Sequence, residues 1–206
     1  MKDSRGMFTE LADVFSAHGI TPILIDLNEK NDGGDIYVNT LSEQSRILRE
    51  TYERECSDGS VVDMICHSQG CLVASLANIP DVRTTLFLAP PTENDPERTI
   101  NHFSRNPESI VDMNNVSRFA RMDGTAIFVP ATYWEDRARM NYEEVYQKYI
   151  SSHETVVITA RNDEVVSNDR INDIFGLAKI VSISADHNFT GTARKELLSL
   201  VLSILT

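Results

Sequence analysis

The sequence has little cysteine, a deficit of positive charge and no long apolar run. Its three cysteines are Cys56, Cys66 and Cys71. So odd and sparse a set, without metal-like spacing, argues against a disulfide framework and a zinc site. It points to reduced thiols in a cytoplasmic protein. Lysine and arginine number 19 against 31 aspartates and glutamates, a formal net charge of -12. No basic block is present. Charge of that sign repels nucleic acid and anionic membrane, so neither is expected as a partner. No stretch reaches the roughly 20 apolar residues of a bilayer span. The start, MKDSRGMFTELADVF, lacks the apolar core of a signal peptide. Internal repeats and low-complexity tracts are absent, which excludes a solenoid or a disordered array.

What is present suits one globular domain over residues 1–206, with 41% hydrophobic and 24% charged residues. Apolar positions 7, 8, 11, 12, 14 and 15 form a helical stripe ending near Gly19. ITPILIDL (20–27) reads as a buried parallel strand, and LNEKNDGGD after it is turn chemistry. Thr40 and Glu43 form a capping box that opens a helix to about Cys56. VVDMIC (61–66), TTLFLAP (84–90), ETVVITA (154–160) and AKIVSISA (178–185) read as further strands. Helices are expected over 69–78, over 167–175 with Gly176 as C-cap, and over 192–205. Alternation of this kind predicts an α/β fold, a three-layer doubly wound, mostly parallel sheet. Residues 91–150 break the rhythm with two Pro-marked starts, a hairpin turning at Asp123-Gly124 and a helix over 142–150. They are expected to form a small cap insertion over the strand ends.

The segment VVDMICHSQGC carries the chemistry. Ligands in such sheets gather at the carboxyl ends of the strands. Cys66-His67-Ser68-Gln69-Gly70 sits at one of these and opens a helix. This is the setting of a nucleophile elbow, G-x-S-x-G, with Ser68 as the exposed nucleophile. The turn should crowd the positions two before and two after the serine. Gly70 fits; Cys66 stands where glycine is usual. Cys71 and Ala74 would let the helix approach its strand closely. A serine needs a base and an orienting acid. Asp163 follows one later strand and His187 the last, in the order Ser, Asp, His expected of this fold.

With CHSQG, RNDEVVS and ADHNF in place, the chain resembles the α/β-hydrolase family, especially its small capped carboxylesterases of the cinnamoyl or feruloyl esterase kind. Ala17-His18-Gly19 through Asp26 also matches the family's entry pattern. The resemblance implies attack by Ser68 on an ester carbonyl, proton transfer through His187, orientation by Asp163 and an oxyanion hole using the Gln69 N–H. A small-molecule ester is the implied partner, and no cofactor or metal is implied. It further implies a strand between 20–27 and 61–66. The sequence does not supply one, so the N-terminal strands are expected to be missing and the second oxyanion donor to lie within residues 1–6. A truncated binding module, a thioesterase and an acyltransferase remain open on the same fold.

Other candidates have plainer readings. His67 is expected to pack beneath the elbow and His18 to sit at a helix C-terminus. His102 and His153 lack partners at metal-ligand spacing. Asp169 is expected within a helix, and Asp186 to face away from His187. Tyr133, Trp134, Tyr142, Tyr146 and Tyr149 suit core packing better than a pocket lining. The GGD at 33–35 is a turn, because no helix follows it directly.

Overall fold

The computed structural model describes residues 4–56 and 59–206. In chain order the elements are α1 (Met7–Ala17), β1 (Glu29–Lys30), β2 (Ile36–Tyr37), α2 (Leu41–Glu55), β3 (Val62–His67), α3 (Gln69–Ala77), β4 (Val82–Leu88), α4 (Pro96–Phe103), β5 (Val116–Ala120), β6 (Ala126–Pro130), α5 (Ala131–Ala138), α6 (Tyr142–Ile150), β7 (Thr155–Ala160), α7 (Ile171–Phe175), β8 (Lys179–Ile183) and α8 (Thr192–Leu205).

The main sheet has the order β3-β4-β7-β8, and every neighbouring pair is parallel. Alternating side chains along each strand feed two different layers. On β4, Phe87 joins the core made with α2, α3, α6 and α7, while Leu86 and Leu88 join the core made with α1 and α8. On β7, Val157 goes one way, and Val156 and Ile158 the other. Helices therefore cover both faces, giving a three-layer α/β architecture.

Local chemistry sets several boundaries. The Thr40 hydroxyl accepts from the Glu43 N–H at 3.1 Å and starts α2. Asp95 caps α4 ahead of Pro96, and Asn141 caps α6. His18 ends α1, with Nδ1 2.8 Å from the Val14 carbonyl. Between β4 and β7 lie α4, the β5–β6 hairpin, α5 and α6. The hairpin turns through Gly124 at φ +84°, the left-handed region that glycine enters without penalty.

Four expectations require correction. Residues 20–27 form no strand. A strand needs a neighbour for its amides and carbonyls, Pro22 has no N–H to offer, and the outer edge of β3 lies across an open cavity. Ile23 and Leu24 are 44% and 41% exposed, while Ile25 and Leu27 pack on the core. The LNEKNDGGD segment is more than a turn. Its turn joins β1 to β2, and β2 pairs parallel with β6 to make a second, mixed sheet of order β1-β2-β6-β5. Asp35 fastens this join by accepting the Ala126 N–H at 2.8 Å. The helix expected over 167–175 begins only at Ile171, so Asp169 lies in the turn before it. Gly176 stays right-handed at φ -59° and makes no left-handed cap.

Candidate active site

β3 ends at His67, and α3 begins at Gln69, so one residue makes the whole turn. That residue is Ser68, at φ 53° and ψ -129°. A non-glycine residue there is strained, and such strain is held only where the surroundings enforce it. Two hydrogen bonds do so: the Ser68 N–H donates to the Leu88 carbonyl at 2.9 Å, and the Ser68 carbonyl accepts from the Cys71 N–H at 3.0 Å. Cys71, Leu72, Val73 and Ala74 are fully buried behind the turn. Burial pushes the Cys66 thiol up to about 12, so it is an inert packing group. The expected crowding at Gly70 is not found. A Cβ there would meet nothing within 4 Å, because this position borders the cavity beside β3.

The other two residues arrive from the ends of β7 and β8. Asp163 sits in the turn after β7, its side chain wholly buried. One carboxylate oxygen accepts the N–H groups of Val165 and Val166, each at 2.8 Å. The other lies 2.7 Å from His187 Nδ1. His187 Nε2 lies 3.0 Å from Ser68 Oγ. A carboxylate can only accept, so Nδ1 carries the proton and Nε2 is free to receive one from the serine. Asp186 takes no part: its carboxylate binds the Thr190 N–H and hydroxyl. Those Thr190 contacts hold its pKa below the usual carboxylate value, although burial pushes the other way.

The N–H of Gln69 is in the first turn of α3, where helix amides have no intrahelical acceptor. The Gln69 side chain is fixed between layers. It accepts from the Tyr133 hydroxyl and donates to Gln44 Oε1 at 3.1 Å. Gln44 in turn donates to the Asn39 carbonyl at 2.7 Å. The aromatic cluster divides. Tyr146 and Tyr149 pack wholly in the core against Phe87, whereas Tyr133, Trp134 and Tyr142 are buried but border the cavity. That cavity measures about 1610 Å³. It runs from Ser68 and His187 beneath α4 and α5 and along the outer edge of β3 to residues 20–27.

Two supporting residues had no sequence signal. The buried Arg194 donates to the carbonyls of Asn188 and Phe189 at 2.9 and 3.1 Å, and to Glu10 at 2.7 Å. It thereby ties the His187 loop to α8 and α1. His67 was expected only to pack, yet both its ring nitrogens are engaged. Among the described residues, no group of three or more metal-ligating side chains is placed to hold a metal ion. His153 stacks on Tyr149 instead, with ring centroids 4.0 Å apart. No helix among them is long and apolar enough to cross a membrane.

The topology and a Ser–His–Asp cluster at the carboxyl ends of three parallel strands decide the architecture. The chain has the α/β-hydrolase fold. The esterase domain of a Rhodothermus marinus protein matches it with TM-score 0.64 at 15% identity, over 96% of this chain and 78% of that one. Est1E from Butyrivibrio proteoclasticus with ferulic acid bound gives 0.63 at 15%, over 98% and 84%. A monoacylglycerol lipase from Paleococcus ferrophilus gives 0.68 at 11%, over 100% and 90%. No protein-family model matches the sequence. No curated protein is significantly similar to it.

Proposed function

We propose that this α/β-hydrolase-fold protein is a serine hydrolase that cleaves carboxylic esters of small or aryl substrates. The observation that carries the proposal is the unbroken chain Asp163–His187–Ser68, with contacts of 2.7 and 3.0 Å. His187 Nε2 takes the Ser68 proton as Oγ attacks the carbonyl carbon. The oxyanion that forms accepts from the Gln69 N–H. Collapse of the tetrahedral intermediate breaks the ester C–O bond, and His187 returns its proton to the departing alkoxide. Water then repeats the sequence on the acyl-enzyme and frees the acid and Ser68. Asp163 keeps the imidazole in the tautomer this requires and stabilises its charged form.

A single oxyanion donor is worth about 10²–10³ in rate. A second donor belongs in the turn at residues 4–6, whose Ser4 hydroxyl lies 2.9 Å from His67 Nδ1, one residue before the nucleophile. We read α4, the β5–β6 hairpin, α5 and α6 as a cap within a single domain. Phe103, Phe119, Tyr133 and Trp134 from this region border the cavity, which favours an acyl or aryl group of some size. The ferulic acid bound by the Butyrivibrio neighbour is an aryl acid of that size.

The test compares hydrolysis of p-nitrophenyl acetate and butyrate by the parent and by Ser68→Ala, with circular dichroism on both. Turnover should fall to background in the variant, a loss of about 10⁴-fold or more. A fluorophosphonate should label the parent stoichiometrically at Ser68. Equal turnover in the two folded proteins sinks the proposal. A folded parent that neither turns over ester nor takes the label favours a binding module instead.

A further inference from the structure

His67 is the last residue of β3 and lies directly before Ser68. Its Nε2 is 2.8 Å from the main-chain oxygen of His187, and its Nδ1 is 2.9 Å from Ser4 Oγ. A carbonyl oxygen only accepts, so Nε2 must carry a proton. The neutral ring then presents Nδ1 as an acceptor, which the Ser4 hydroxyl fills by donating. Burial, helped by the neighbouring His187, depresses the His67 pKa to about 3, so the ring is neutral near pH 7 and a single tautomer satisfies both contacts. The rings of His67 and His187 lie 4.7 Å apart.

His187 needs such a hold. It sits in the loop between β8 and α8, outside any strand ladder. Asp163 orients its ring, and Arg194 fixes the two carbonyls that follow. Its own N–H reaches Glu164 only at 3.4 Å. Among the described residues, the bond from His67 alone joins this backbone to the strand that carries the nucleophile. The Asn162 N–H also donates to the Ala185 carbonyl at 3.0 Å and ties the loop to the end of β7; the bond from His67 acts directly between His187 and the residue beside Ser68.

We infer that His67 is a positioning residue, whose Nε2–H bond to the His187 carbonyl sets the spacing between His187 and Ser68 while its Nδ1 anchors the turn at residues 4–6. The kinetic consequence rests on the serine-hydrolase proposal; the geometric one does not. A displacement of about 1 Å at such a site costs roughly 10²-fold.

The test uses the full chain with His67→Leu, His67→Gln and Ser4→Ala. The glutamine amide can restore a donor near the position of Nε2 without a ring. In His67→Leu, kcat should fall about 10–100-fold with KM nearly unchanged. His67→Gln should recover most of that loss, and Ser4→Ala should show a smaller loss of the same kind. A second readout needs no turnover: the low-field proton NMR signal of His187 Nδ1–H in its bond to Asp163. It should be sharp in the parent, broadened in His67→Leu and sharp again in His67→Gln. Unchanged kcat and an unchanged signal in folded His67→Leu overturn the inference. So does a His67→Gln protein that matches the parent in Tm but recovers neither readout. Should His67→Leu not fold, a sharp signal in His67→Gln with a weakened one in Ser4→Ala supports it, and the reverse pattern overturns it. A parent inert toward esters whose signal still depends on His67 upholds the positioning role and removes the hydrolase proposal instead.

Discussion

Acidification should destabilise the protein through His67 in a way that can be isolated by one substitution. The folded-state pKa is depressed from 6.5 to about 3, first by burial and then by the nearby His187. A histidine depressed in this way contributes stability above its unfolded pKa and loses it as the pH falls toward the folded one, because the unfolded chain takes up the proton first. Each unit of separation corresponds to about 1.4 kcal/mol. Between pH 7.5 and 4.5 the full shift would remove roughly 2–3 kcal/mol. Two features reduce that figure. The ring borders the cavity as well as the core, and the Ser4 hydroxyl can turn a lone pair toward a protonated Nδ1. A loss of about 1–2 kcal/mol is therefore expected from this residue. The assay is urea unfolding of the parent and of His67→Gln from pH 7.5 to 4.5. Glutamine does not titrate, so the acid-dependent loss should be smaller in the variant by that amount, with similar m-values. Parallel stability curves for the two proteins would refute the reasoning.

Three further outcomes can be checked. Asp163→Asn should cut kcat by about 10⁴-fold with the fold intact, since the amide can still accept from Val165 and Val166 but favours the wrong imidazole tautomer; steady-state kinetics beside circular dichroism decides this. Phe87→Ala should cost about 3–5 kcal/mol in chemical denaturation, because the fully buried ring packs against Tyr146, Tyr149 and Phe175; a cost under about 1 kcal/mol would contradict that packing. In hydrogen exchange read by mass spectrometry, residues 23–25 should exchange early and Thr155–Ala160 last, since only the latter stand within a ladder that is paired on both sides; equal protection would restore the strand at 20–27.

The elements that sequence reading located well are those whose signal is complete within a short window. The capping box at Thr40, the stripe of α1, the Asp123-Gly124 hairpin and the apolar runs of β3, β4, β7 and β8 each carry their own periodicity or turn chemistry. That Ser68, Asp163 and His187 would lie together at the strand ends was legible for a related reason. Their order along the chain and their places after strands follow from topology, and topology follows from alternation. The β1–β2 join to β6 had no such signal. Two residues per strand are too few to show a period, and the partner lies about 90 residues away.

The misreading of 20–27 shows where local pattern stops being sufficient. ITPILIDL has the composition of a buried strand, but a strand is a relation between two backbones. With the outer edge of β3 facing a cavity, the segment has apolar side chains and no ladder to join, so half of them point outward. The same opening explains Gly70, whose smallness is usually read as relief from crowding and here meets free space. It also raises the importance of contacts within the site. Among the described residues β3, which leads into Ser68, is paired on one side only, and such a strand is held less firmly than one inside a sheet. The bonds from Ser68 to Leu88, from Gln69 to Gln44 and Tyr133, and from His67 to His187 therefore supply the rigidity that a neighbouring strand would otherwise give.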